Sequence, residues 1–509
     1  MRETNLRFDV VFYCLIGIGS YWAWSGALLI TASLWPSADI SFMHATWLLN
    51  VGTHCVCLLI FGLLSKRLAP YSQRRAFVTG APPLIIAGTA ALFIGYALPA
   101  TSLTLIGSVV SGIGTSFVLL IWGESCTRLQ EGDVQHLVLS GSVVAGLMII
   151  LLIVCLPPLI ALFTCFALPI VMVRCIVGAN KILTEESTAR DPLSQTAIPE
   201  RTEQNAFDFV SEPASSEHVK RIFIRLLLCC FVLALPAGLY QNSYASISHG
   251  DVVGSWGMVF SCVCVLVMLA SFLDFLFMKR GSTNVFSRLI VPLMAGGLLV
   301  LSVFTTGLES WAGVFMQTGY HLFLIYIYTE FSVFASETNA LPSRIFALGT
   351  CAIDVGLLAG FGLLFAVTSL SSVWSIGVIL VVVYLLILVG ILVFPKVLED
   401  IENRNRDKKA LELLATREVS SDESEHPDND AQADKSLDKR RAAFSEFYGL
   451  SSREQEILDY LLRGRSLRSI ATETFLSYNT VKTHVSHIYR KANVHTRDEL
   501  IDAFDRIAD

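Results

Sequence analysis

The chain has 509 residues, of which 53% are hydrophobic and only 16% charged; its formal net charge is −6 and its mean hydropathy +0.60. A soluble domain carries roughly 25% charged residues, so a wholly soluble protein is excluded. The composition predicts a polytopic membrane protein with a smaller polar part. The short polar start, Met1 to Arg7, precedes an apolar run too long for a cleaved signal peptide, so the first span is expected to be retained.

A membrane-crossing helix needs about 20 apolar residues. That ruler predicts twelve spans, at 9–34, 42–64, 77–98, 101–122, 134–156, 157–178, 222–241, 253–277, 287–308, 311–335, 342–367 and 373–394. Basic residues fall after even-numbered spans: Lys66, Arg67, Arg74 and Arg75 after the second, Arg128 after the fourth, Lys279, Arg280 and Arg288 after the eighth, and Arg344 after the tenth. The odd-numbered exits carry no Lys or Arg. The positive-inside rule then places both termini in the cytoplasm, with the chain in the inner membrane. The twelve cysteines fall mainly in apolar runs without zinc-ligand spacing, and are expected to pack as small apolar side chains, with no metal or cofactor.

The expected domains are 1–178, a first six-span half; 179–220, a polar central linker read as disordered; 221–395, a second half; 396–442, a charged linker; and 443–509, a soluble module. Weak internal repetition accompanies the six-plus-six division: Phe61 to Arg67 is like Phe275 to Arg280, and Trp122-Gly-Glu124 is like Tyr328-Thr-Glu330. This pattern resembles the major facilitator superfamily. The resemblance is architectural, and Ser65 to Arg75 lacks the Asp and Gly of that family's loop, which counts against transport.

Ionisable residues inside a bilayer are costly without partners. His54, His321 and Asp354 fall near the middle of their spans, and His321 and Asp354, on neighbouring spans, could pair. Two readings stand: a ligand or proton site, or a buried His–Asp bond that fixes packing. Glu124, Asp274 and Glu330, near span ends, are expected to snorkel or to pair with adjacent Arg or Lys. Trp22, Trp24, Trp35 and Trp47 read as interface or packing residues rather than a ligand cage.

Beyond Pro395 the composition turns polar. Residues 396–417 could extend the last span as a charged helix, whereas 419–438 are acidic, Ser-rich and expected to be disordered. As a flexible coil the connection would reach roughly 35–40 Å. In the module, Ser451-x-x-Glu454 is a capping box. It opens a helix whose apolar face is Ile457, Leu458, Leu461 and Leu462, closed by Gly464. Ser466 caps a short second helix with Ile470 and Ala471; Ser477 begins a third with Val481, Val485 and Ile488 inward; Thr496-x-x-Glu499 opens a fourth with Leu500, Ile501 and Phe504. From Thr474 to Arg497 there is no Asp or Glu, while Lys482, His484, His487, Arg490 and Lys491 occur in the third helix, as phosphate contact requires.

Leu450-Ser-Ser-Arg-Glu-Gln-Glu-Ile-Leu458, Gly464-x-Ser466, Ile470-Ala471, Ser477-x-x-Thr-Val-Lys-x-His484, Ile488-Tyr-Arg-Lys491, Val494 and Arg497-x-Glu-Leu-Ile501 resemble the LuxR-type (GerE-type) helix-turn-helix domain. The resemblance implies an all-α, four-helix module that binds double-stranded DNA, usually as a homodimer on inverted half-sites. It implies DNA contact by Lys482 and His484, with Tyr478, Asn479, Thr483 and Ser486 at positions that set base preference. Leu467-Arg468-Ser469 and Thr474 depart from the common pattern. No receiver-type acidic cluster is evident within the chain, so input is expected from the membrane half. The sequence therefore predicts a membrane-bound, one-component transcriptional regulator that responds to an unidentified small-molecule signal, with RNA polymerase as a further partner. The alternatives are a secondary transporter with a regulatory DNA-binding tail, and a constitutive DNA anchor. No phosphate-binding glycine loop, nucleophile elbow or His-Glu-x-x-His is present, so no enzyme is expected.

Overall fold

The computed structural model describes residues 8–30, 40–129, 132–190, 213–247, 252–278, 285–303, 309–338, 340–368 and 372–392, and, in the C-terminal part, 441, 444–445, 447–462, 470, 474, 478–492, 494, 500 and 503–504. The chain divides into two compact units, Met1–Ile401 and Glu402–Asp509. Among the described residues all regular structure is helical.

In the first unit the long helices are α1 (Phe8–Ile30), α2 (Ile40–Leu68), α3 (Arg75–Ala97), α4 (Thr101–Cys126), α5 (Gly132–Cys155), α6 (Pro158–Arg190), α7 (Pro213–Ile247), α8 (Val252–Met278), α9 (Val285–Val303), α10 (Glu309–Thr338), α11 (Pro342–Thr368) and α12 (Ser372–Leu392). Each overlaps most of one of the twelve apolar stretches read from the sequence, while residues 31–34, 304–308 and 393–394 of those stretches lie outside the described residues. By length and composition, eight are apolar enough to cross a membrane, and α8, α9 and α12 carry shorter apolar stretches. Large apolar side chains also cover the outside, such as Leu63 on α2, Val265 on α8 and Tyr384 on α12. An apolar exterior around an apolar core suits lipid rather than water, and the chain is a multi-pass membrane protein.

Helix runs into both ends of the expected 179–220 linker, because α6 continues to Arg190 and α7 starts at Pro213. Residues 180–190 are mostly good helix formers, and Pro213 opens α7 where a missing N–H costs nothing. Residues 191–212 and the expected linker at 396–440 lie outside the described residues.

The weak sequence repeat becomes explicit in the packing. Within the first half α1 packs on α5 and α6, α4 on α2 and α3, and α3 on α6. The same pairs recur with six added to each number: α7 on α11 and α12, α10 on α8 and α9, and α9 on α12. The halves meet through α2 with α11, and through the equivalent pair α8 with α5. Small residues permit the closest approaches, as expected where lipid offers no hydrophobic drive between helices. A Cβ on Gly95 of α3 would lie 2.2 Å from Thr104 Oγ1, and one on Gly297 of α9 would lie 2.9 Å from the Ala312 carbonyl. On the α7–α11 seam, a Cβ on Gly238 would lie 2.1 Å from the Leu357 carbonyl.

In the second unit, α13 (Ser452–Leu462) and α14 (Tyr478–Ala492) pack around a separate core of Phe444, Leu450, Ile457, Leu458, Leu461, Ile470, Val481, Val485, Ile488, Val494, Leu500 and Phe504. Phe444, Leu450 and Val494 join the core positions read from the helical periodicity. The expected second and fourth helices lie mostly outside the described residues, although Ile470, Leu500 and Phe504 are buried as expected.

Candidate functional site

The capping box forms with both arms. The Ser451 backbone N–H donates to Glu454 Oε2 at 2.8 Å, and the Glu454 N–H donates to Ser451 Oγ at 3.4 Å. Glu454 also reaches α14: Lys491 Nζ donates to its Oε2 at 2.7 Å and to the Gly449 carbonyl at 2.9 Å, and His487 Nδ1 lies 3.8 Å from its Oε1. Burial alone would raise the Glu454 carboxyl. The hydrogen bonds from Lys491 and Ser451, with the Lys491 charge, outweigh burial and bring it to about 2. One carboxylate thus starts α13 and ties it to α14. Arg453 holds the Thr474 carbonyl at 2.9 Å.

α14 has a regular division of faces. Val481, Val485, Ile488 and Ala492 are buried, at spacings of four, three and four residues. Thr483, Ser486 and Arg490 lie on the opposite side and are exposed, and Asn479 shares their register position. His484 and His487 are half-buried on a flank. Of the residues read from the sequence as DNA-contacting, the structure brings Thr483, Ser486 and Arg490 to one face and turns Lys491 towards Glu454. The side chains of Tyr478, Asn479 and Lys482 lie outside the described residues. The helix carries no acidic side chain, and its N-terminal amides add positive partial charge.

The membrane unit encloses a cavity of about 150 Å³ whose wall draws on both halves. Its polar residues include Asn50 and His54 of α2, Gln241 of α7, Gln317 and His321 of α10, and Asp354 of α11. Asp354 pairs with His54, not with His321: His54 Nδ1 is 2.8 Å from Asp354 Oδ2, and both side chains are nearly buried. His321 Nδ1 instead lies 2.7 Å from the Gln317 carbonyl of its own helix. His321 and Asp354 share the cavity without sharing a bond. The reason is the packing of α11 on α2 across the halves. His54 Nε2 is buried and has no hydrogen-bond partner among the described residues.

Two of the end-of-span carboxylates find partners other than the adjacent Arg or Lys. Glu124 accepts the backbone N–H groups of Tyr71 at 2.9 Å and Ser72 at 2.8 Å, fixing the turn between α2 and α3. Asp274 of α8 lies 2.8 Å from His136 Nε2 of α5. Sequence reading missed His136, which lies two residues inside the expected 134–156 span, at its polar end. Trp22, Trp24 and Trp47 line the cavity rather than marking the lipid interface; Trp24 Nε1 donates to Thr89 Oγ1 at 3.0 Å. Trp35 lies outside the described residues. Among the described residues no three His, Cys, Asp or Glu side chains are placed to hold a metal ion.

The comparisons with known proteins divide along the same boundary. The membrane part is similar in fold to a bacterial homologue of the iron transporter ferroportin in an outward-facing state, with a TM-score of 0.52 and 12% identity over 76% of this chain and 98% of that one. At that identity the likeness establishes the fold alone, a bundle of long membrane helices in which the packing of the first half recurs in the second. The module is 49% identical over 53 residues to the Fimbriae Z protein of Escherichia coli (strain K12), covering 10% of this chain and 25% of that protein. This chain thus spans about a quarter of that relative's length. It is 33% identical over 52 residues to the spore germination protein GerE of Bacillus subtilis (strain 168), covering 10% of this chain and 70% of GerE. Residues 449–504 match the family of bacterial regulatory proteins described as the luxR family. Through that C-terminal module, the chain belongs to the luxR family of bacterial regulatory proteins.

Proposed function

We propose that this protein is a one-component transcriptional regulator of the bacterial inner membrane. Its twelve-helix body binds a small-molecule signal, and its cytoplasmic C-terminal module reads DNA as a homodimer, without catalysing a reaction. The observation that carries this reading is the union, in one chain, of a luxR-family module and a membrane body with a cavity that holds a buried polar atom, His54 Nε2, without a partner among the described residues. The distribution of Lys and Arg supports cytoplasmic termini. The cytoplasmic side is also the only one on which a bacterial DNA reader can work.

In this reading the N-terminal part of α14 enters the major groove. Asn479, Thr483, Ser486 and Arg490 face DNA, Lys482 and His484 contact phosphates, and Tyr478 sits at the entry. His487 and Lys491 set the angle of the helix through Glu454. A signal that prefers one of two membrane-body states by a few kcal/mol shifts the population enough to alter how two modules meet, and so changes recruitment of RNA polymerase. The test is genome-wide mapping of bound sites, followed by a reporter at one of them. Deleting residues 1–395 is expected to abolish the response to growth conditions; an unchanged response removes the sensing role.

A second reading, a secondary transporter with a regulatory tail, draws on the fold likeness over nearly the whole of a transporter homologue. Substrate flux in proteoliposomes that is lost in Asp354→Asn would favour it.

A further inference from the structure

All twelve cysteines are free thiols, and two of them meet across the halves. Cys55 on α2 and Cys351 on α11 place their Sγ atoms 3.4 Å apart, and Cys55 Sγ lies 3.8 Å from the Cys351 carbonyl. Both are buried, at 8% exposure each. Their immediate neighbours His54 and Thr350, and Asp354 one helical turn beyond Cys351, line the central cavity. A disulfide requires the sulfurs at about 2.05 Å, so closure asks for an approach of about 1.4 Å, within reach of small side-chain rotations and a slight helix shift.

We propose that Cys55 and Cys351 are a redox modification site, at which a reversible disulfide ties the first half of the membrane body to the second beside the cavity. Burial within a membrane body selects the oxidant: it must be small and apolar, and a quinone is the chemical class that fits. The two S–H bonds are replaced by one S–S bond. The two electrons and two protons released reduce the quinone to its hydroquinone, and a dithiol reverses the step. The bond joins α2 to α11, the most extensive contact between the halves, so the oxidised body cannot separate there. Its effect on signalling rests on the sensing role proposed above; its formation does not.

The experiment uses the full-length chain in membranes, with a specific protease site inserted at residue 200, between α6 and α7. Membranes are treated with duroquinone, whose ring carbons are fully substituted and resist thiol addition. Free thiols are then blocked with N-ethylmaleimide, the chain is cleaved, and the fragments are run without reductant. The two halves are expected to migrate as one band, to separate after dithiothreitol, and to separate without it in Cys55→Ala and in Cys351→Ala. Separation of the wild-type halves after quinone treatment overturns the proposal, as does persistent linkage in either variant. A reporter run in parallel distinguishes the two readings. A crosslink that flattens the reporter response, with recovery after dithiothreitol, supports both, whereas a crosslink with an unchanged response keeps the thiol site and counts against sensing.

Discussion

Glu454 has two structural tasks in the module, because it closes the capping box and holds Lys491. Its carboxyl lies below its ordinary value of 4.5, at about 2. A group depressed on folding adds stability that is complete above the unfolded value and fades as the pH falls through the folded one. Protection of α13 and α14 against amide exchange is therefore expected to weaken between pH 4.5 and about 2, and Glu454→Gln should flatten that dependence. Lys482 and Lys491 separate by the same logic. Lys482→Ala should weaken binding to all DNA sequences and reduce the slope of log K against log salt by about 0.9 for the lost phosphate contact. Lys491→Ala should leave that slope unchanged and cost about 1–3 kcal/mol of module stability, since it strips a buried carboxylate of its cation. Salt titrations and thermal melts of the two variants check both outcomes.

At the scale of elements, the tightest seams are those where glycine admits a neighbouring backbone. Adjacent glycines on α9 make a controlled comparison. Gly297 faces the Ala312 carbonyl and Met316, whereas Gly296 has nothing within 4 Å of an added Cβ. Gly297→Leu is expected to overpack the α9–α10 seam by about 1–3 kcal/mol or more, reducing the monodisperse fraction in detergent chromatography. Gly296→Leu should behave as the parent protein. The extent of α1–α12 was largely legible from apolar length, and α13 from its capping box and periodicity, because both signals are local. Which faces of α2 and α11 meet was not. A helix that is apolar all round gives no sign of its inward side, so the sequence neighbours His321 and Asp354 looked like partners while His54 was the true one. The apolar face of α14 was readable because Val481, Val485 and Ile488 recur at helical spacing.

For the whole molecule, the two units have separate hydrophobic cores, so the module should keep its fold when the membrane body is removed. Exchange protection across residues 450–492 is expected to match between the full chain and a fragment of 441–509; a loss of protection in the fragment would mean that the membrane body completes the module's core. The two His–Asp bonds between the halves lie on equivalent seams but at unequal depths. His54 sits midway along α2, while Asp274 is within a turn or so of the end of α8. Rocking one half against the other about the middle of the bundle leaves the first bond almost in place and stretches the second. In such a motion the first bond would serve as a fulcrum and the second as a latch, and spreading α5 from α8 at that end would break the His136–Asp274 contact.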